Sequence, residues 1–472
     1  MKKYFFKKYY VLISLFISLN CYSQKNNTYS SLIVIQNVNI ITMTSPNKII
    51  KNADLVINNG KISSINGVIP KKAKVINGEN KWLIPGLIDI HIHLPTDLNL
   101  KSKTLTQKPD ISFDVQDLMT PFIANGVTTI LNLNANVQSF YQRKQISNGD
   151  IIGPRMAIAA LIDGGNGNGK TANTPEEGRL IVRIAKDDGY EFIKLYSGLN
   201  VETYKAIIEE ANKQGMKTVG HIPNVFQNDI EKAFIPHFNL VAHAEEFSKS
   251  ARKFDYQEAL NFAKIAKEND TWVSPTLTAM DWIASQTSSL TRLETSTSTQ
   301  FVHPLLQSKW LTANSYYKKS TPERITYFKQ FLEFQMLLVK AFKEVNVPIL
   351  VGTDAGVSGV VPGFSLHDEL ELLVQAGLST EEALDSATRL NALWLGIDKE
   401  VGTIEENKLA DLVLLDENPL ININNTRKIV GVFINGVWLD KKTFEKMLLD
   451  LSIKNTELKD EFDWNTLMTN KK

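Results

Sequence analysis

One apolar run carries two histidines two residues apart: Ile84-Pro85-Gly86-Leu87-Ile88-Asp89-Ile90-His91-Ile92-His93-Leu94. Residues so spaced on a strand share a face, so both imidazoles can reach one ion, and neutral imidazole suits zinc and its transition-metal neighbours. Four other apolar runs hold a polar residue. His221 ends Val219-Gly220-His221, His243 ends Val241-Ala242-His243, Asp354 ends Ile349-Leu350-Val351-Gly352-Thr353-Asp354, and Lys194 lies inside Phe192-Ile193-Lys194-Leu195-Tyr196. An unpaired carboxylate or ammonium in such a run is unfavourable. Each residue alone also has a plain structural reading: a core or surface histidine, a helix N-cap for Asp354, an internal salt bridge for Lys194. The single cysteine is Cys21, so the rest of the chain has neither disulfide nor thiolate site. A metal would be held by His, Asp, Glu or a modified Lys.

The elements that must position these residues alternate between residues 82 and 397. Candidate strands cover 83–94, 127–133, 155–162, 192–196, 218–222, 240–244, 272–277 and 349–354, with helix-like stretches such as 202–214, 256–268 and 322–345 between them. Eight strands with intervening helices predict an α/β fold, a (β/α)₈ TIM barrel. The polar residues then fall on the first, fourth, fifth, sixth and eighth strands and converge at one end. Residues 279–320 form a long Ser- and Thr-rich connection carrying Trp282, His303, Trp310, Tyr316 and Tyr317, read as a lid, a binding element or a partly disordered insert. Short β-rich pieces at 32–41, 53–57, 61–65, 410–415 and 429–438, the last turning at Asn435-Gly436, predict a small β-sandwich domain built from both chain ends (24–81 and 398–445). Residues 446–472 read as a helical or loose tail.

With this set at one end of one barrel, the chain resembles the amidohydrolase superfamily, near its imidazolonepropionase-like and prolidase-like (Xaa-Pro dipeptidase) members. The resemblance spans nearly the whole chain and includes the returning segment Gly402-Thr403-Ile404-Glu405-Glu406-Asn407-Lys408-Leu409-Ala410-Asp411-Leu412-Val413. It implies two divalent ions, zinc or else manganese, cobalt or iron. His91, His93 and Asp354 would hold one and His221 and His243 the other, with carboxylated Lys194 bridging both. Two such ions about 3.5–4 Å apart share a water and lower its pKa from about 15.7 towards about 7. Asp354 would take the proton and deliver it to the leaving nitrogen. Tyr196, two residues beyond Lys194, is expected either to donate to the developing oxyanion or to pack as a barrel tyrosine. His367, in Ser365-Leu366-His367-Asp368, is a candidate substrate contact or a helix-surface residue. The expected substrate is a small-molecule amide, a dipeptide or N-acyl amino acid, with Xaa-Pro dipeptides the direction the resemblance gives. A lactone or phosphoester hydrolase on the same site and a non-catalytic binding protein are the alternatives.

Residues 164–171, Gly-Gly-Asn-Gly-Asn-Gly-Lys-Thr, formally satisfy a phosphate-binding loop in which Lys170 would reach phosphate. Thr174-Pro175-Glu176-Glu177 contradicts it, because a capping box there starts the helix some four residues late. A mobile loop at the barrel mouth is the preferred reading. The formal net charge of +1 gives no basic excess for nucleic acid. Lys2, Lys3, Lys7 and Lys8 precede the apolar residues 11–19, a run too short to span a bilayer. This describes an export leader cut before Gln24, with lipidation at Cys21 the competing reading, and a periplasmic or secreted protein without a transmembrane span. Oligomers are left open.

Overall fold

The run that carries His91 and His93 turns a corner at Gly86. A Cβ there would lie 2.1 Å from the Thr128 hydroxyl, so only glycine lets the chain pass that close. The single strand expected over 83–94 therefore divides: Trp82–Pro85 joins one sheet and Leu87–Ile92 opens another. The structure, a computed structural model, describes residues 32–98, 109–165 and 167–469. The expected leader, its cleavage point and Cys21 lie outside them. Among the described residues no helix is long and apolar enough to cross a membrane.

Both chain ends build the first sheet, in the order Val437–Asp440, Ile429–Ile434, Leu412–Leu415, Trp82–Pro85, Ile33–Ile41, Ile49–Asn58, Lys61–Ile65. The two ends meet where Leu412–Leu415 runs antiparallel to Trp82–Pro85. Ile35, Ile40, Leu55, Leu412 and Phe433 share one buried cluster.

The second sheet is parallel and nearly closed. Leu87–Ile92, Val127–Asn132, Arg155–Asp163, Phe192–Leu195, Lys217–Gly220, Leu240–Ala242 and Trp272–Ser274 follow one another as first to seventh barrel strands. Their near-continuous apolar runs suit strands covered on both faces. The eighth position is an irregular extended segment. It closes the ring through single bridges, Val273 to Ile349 and Ile92 to Ala355, helped by Leu350 N–H to Val273 O at 2.9 Å and Ile90 N–H to Val351 O at 3.2 Å.

Residues 279–320 are helical: Leu277–Ser288, Thr291–Thr295, Pro304–Thr312 and Ser315–Lys318, with a 3₁₀ turn at Thr297–Phe301. The hydroxyls that resembled loop signals bond their own helices. Ser285 donates to Trp282 O at 2.9 Å, Thr295 to Thr291 O at 2.8 Å and Thr312 to Ser308 O at 2.7 Å. The tail is ordered too. Lys441–Glu457 and Trp464–Thr469 are helices, tied back by Lys454 to Asp117 at 2.6 Å and by Trp464 N–H to the Ser308 hydroxyl at 2.9 Å.

The glycine-rich segment ends as its capping box predicts. The helix Pro175–Asp188 starts at Pro175, with Thr174 and Glu177 bonded reciprocally, and Lys170 sits in the two-residue strand Lys170–Thr171. Asp163 accepts from the N–H groups of Gly164 and Gly198, both at 2.8 Å, and of Asn168 at 2.9 Å. Amides that would cradle a phosphate thus hold the protein's own carboxylate, which pins the described part of the loop.

Candidate metal centre

The barrel brings His91, His93, Lys194, His221, His243 and Asp354 to one end. Asp354 Oδ1 lies 3.3 Å from His91 Nε2 and 3.1 Å from His93 Nε2. Ring centroids are 5.3 Å apart for His91 and His93, 4.5 Å for His91 and His243, and 4.7 Å for His221 and His243. Tyr196 packs edge-on to His221 at 4.4 Å. Lys194 is wholly buried among them and, like both ring nitrogens of His91, has no hydrogen-bond partner among the described residues. The His91–Asp354 approach is therefore close without being aligned as a hydrogen bond.

Other residues aim the imidazoles. His221 Nδ1 meets Glu246 Oε1 at 2.6 Å, while Glu246 Oε2 accepts from Ile222 N–H at 3.1 Å. His243 Nδ1 meets the Thr276 hydroxyl at 2.7 Å, and that hydroxyl donates to Pro275 O at 2.8 Å. With its proton committed, Thr276 accepts from His243 Nδ1–H. Both rings then keep the Nε2 lone pair free, the orientation that carboxylate and hydroxyl partners impose on metal-ligating histidines. On the other side Asp89 accepts from the Thr353 hydroxyl at 2.6 Å, Thr353 N–H at 3.1 Å and His91 N–H at 3.2 Å. It clamps the first strand to the eighth segment, where Asp354 N–H reaches His91 O at 2.7 Å. Gly352 permits the approach, since a Cβ there would lie 2.7 Å from His91 Cβ.

Strain gathers at the same place. His243, Thr276 and Asp354 have φ of +76°, +51° and +61°, a region that costs non-glycine residues about 1–3 kcal/mol each. A cavity of about 380 Å³ opens over the centre, lined in part by His93, His221, His243, Asp354 and Tyr196.

The model of the amidohydrolase family matches residues 82–439. The chain belongs to this family. The fold agrees with that membership. A solved Xaa-Pro dipeptidase with bound methionine superposes with a TM-score of 0.65 at 21% identity, over 87% of this chain and 100% of that one. The bottromycin amidohydrolase gives 0.70 at 20% identity over 90% of each chain, and the A. niger ochratoxinase 0.61 at 19% over 87% and 96%. Among curated proteins, the adenine deaminase of Staphylothermus marinus is 40% identical over 72 residues, 14% of this chain and 12% of its own length. That of Clostridium perfringens (strain ATCC 13124) is 28% identical over 117 residues, 23% and 20% respectively. The chain thus spans about a fifth or less of these curated relatives.

The charge states of this amidohydrolase suit cation binding. Burial, then Lys194, keeps His91 and His221 well below the ordinary imidazole range, and burial takes His243 down to about 3. The contact of His221 with Glu246 is therefore a hydrogen bond from a neutral ring to a carboxylate. Burial also lowers Lys194 to about 8. At Asp354 burial acts upwards, but the His93 hydrogen bond and the neighbouring His243, His93 and Lys194 hold the carboxyl well below its usual range. Lone pairs and one carboxylate thus converge where His91 and Lys194 lack partners, and the donor set fits divalent transition metals.

His367 is not brought to this site. It lies on the helix Phe364–Gln375, buried, with Nδ1 2.9 Å from the Thr426 hydroxyl. It is neither a cavity residue nor a helix-surface one. Sequence reasoning gave no role to Asp89, Glu246 or Thr276, nor to Asn134, Asn168 and Gln335, which line the cavity together with Tyr316 of the long connection. Asp89 shares the strand face of His91 and His93, and Glu246 follows His243 by three residues, so both carried a local signal. Thr276 lies near the end of an expected strand and Gln335 inside an expected helix, without a signal for which way either turns, and Asn134 and Asn168 come from connections that pattern does not place.

Proposed function

We propose that this chain is an exported, binuclear amidohydrolase that cleaves the amide bond of a dipeptide or N-acyl amino acid. The observation that carries the reading is Lys194, buried beside His91, His221 and His243 and without a hydrogen-bond partner among the described residues. His91, His93 and Asp354 would hold one cation and His221 and His243 the other. Lys194, carboxylated on Nζ, would join them, which turns a buried ammonium into an anionic ligand. The cations would supply Lewis acidity and acidify a shared water. Zinc, manganese, cobalt and iron all accept this donor set.

The chain's own residues do the rest. Asp354 Oδ1 faces His91 and His93 and would go with them to the cation, which leaves Oδ2 to take a proton from the attacking water and return it to the leaving nitrogen. Burial, then Asp354, raises the Tyr196 phenol, and burial with Glu245 raises Tyr316. Both hydroxyls keep their protons and can donate to a developing oxyanion. The dipeptidase and amidohydrolase folds it matches favour an amide or peptide substrate. Export rests on the basic head and short apolar run of the leader.

The test is a panel of dipeptides including Xaa-Pro, N-acyl amino acids, aryl esters, lactones and phosphotriesters, assayed with metal-reconstituted mature protein. Turnover of the amides is expected, with Asp354→Asn lowering kcat about 10²–10⁴-fold. Turnover of esters, lactones or phosphotriesters with none of any amide contradicts the reading.

A further inference from the structure

We infer that the site takes an amide bearing a bulky apolar group, phenyl, leucyl or indole in size, and that a second chamber beside His93 receives that group. The inference rests on the amide-hydrolase reading above. The chamber holds about 210 Å³, and its walls include Leu94, Phe113, Leu118, Leu306, Trp310 and Leu451. His93 and Gly356 line both this chamber and the cavity over the centre, so the two adjoin at a candidate metal-binding imidazole. An apolar cavity of about 150 Å³ accepts benzene, so the volume suits a single aromatic or branched aliphatic group.

The walls do not invite charge. Asp114 and Asp117 at the rim are paired with Lys454 at 3.3 and 2.6 Å. The His303 ring lies edge-on between Phe113 and Phe462, with centroids 4.8 and 4.7 Å away, and its Nδ1 accepts from Leu305 N–H at 3.2 Å. Burial lowers this imidazole to about 4, so it is a neutral wall. The chamber is assembled from three distant parts of the sequence: the helix Val115–Ala124, the helix Pro304–Thr312 and the C-terminal helix Lys441–Glu457. Pockets with apolar walls and a few convergent polar groups at one end are the usual form of a small-molecule site. Here the polar end is the metal centre.

The experiment compares two amides that differ only in a benzyl group against a methyl group, with wild type and Leu306→Trp, which fills the chamber. Wild type should favour the benzyl amide in kcat/KM by at least about tenfold, and the variant should erase that ratio while keeping its thermal midpoint and metal content. A ratio unchanged by Leu306→Trp, or no preference in wild type, overturns the chamber's role. Should Leu306→Trp misfold, Leu118→Ala enlarges the chamber and should shift preference from benzyl to naphthylmethyl, and an unshifted preference overturns the inference. A metal-loaded wild type that cleaves neither amide overturns the amide reading alone. Calorimetric titration with phenylacetamide then decides the chamber: binding at least tenfold weaker in Leu306→Trp supports it, and equal binding overturns it.

Discussion

The two sides of the centre hold their imidazoles by different means. On the fifth- and sixth-strand side each ring is aimed through Nδ1, His221 by Glu246 at 2.6 Å and His243 by Thr276 at 2.7 Å. On the first-strand side His91 has no such partner at either nitrogen among the described residues. It is placed by its backbone, through the strand itself and the clamp from Asp89 to Thr353. Side-chain partners fix a tautomer and a direction, so their loss should fall on metal affinity. A backbone clamp fixes the register between two strands, so its loss should fall on folding.

Substitutions can break that contrast. Glu246→Gln keeps the shape of the His221 contact and removes its charge, and should weaken one cation by about 10–100-fold. Titration with a chelator should therefore strip one equivalent early and leave the other in place, whereas parallel loss of both would erase the distinction. Thr353→Val removes the hydroxyl from buried Asp89 and should lower stability by about 1–3 kcal/mol in denaturant unfolding, with metal affinity much less changed. A separate, pH-dependent effect is expected at Glu369, where burial raises the carboxyl to about 8 from an ordinary 4.5 although Thr278 N–H bonds it at 2.7 Å. The folded state keeps a proton there that the unfolded chain releases above about pH 4.5, so this group's contribution falls as pH rises from about 4.5 to about 8. Glu369→Gln cannot titrate, so its thermal midpoint should gain on wild type across that window. A constant difference would contradict the assignment.

What could be read from the sequence followed from local rules. His91, His93, Lys194, His221, His243 and Asp354 lie on or at the ends of short apolar runs, and in a parallel barrel such places share one face. Thr174 and Glu177 announced a helix start, and the β-rich ends announced a shared sheet. The rest depends on contacts no local rule supplies. His367 is buried because Thr426, 59 residues on, meets its ring. The Ser- and Thr-rich stretch is helical because Leu277, Trp282, Leu293 and Trp310 pack into the main core, and its hydroxyls are satisfied by bonding back to carbonyls of the same helix. Tyr316 and Gln335 reach the cavity from that stretch and from the following helix, Pro322–Glu344. Gly86 divides an apparently continuous strand through a close approach to Thr128.

As proposed, Lys194 joins two cations. Elemental mass spectrometry of the purified mature protein, reconstituted with bicarbonate and zinc or manganese, tests it most directly beside Lys194→Ala. About two equivalents of metal are expected in the wild type, falling sharply in the variant. One equivalent unaffected by the substitution, or none after reconstitution, would contradict it.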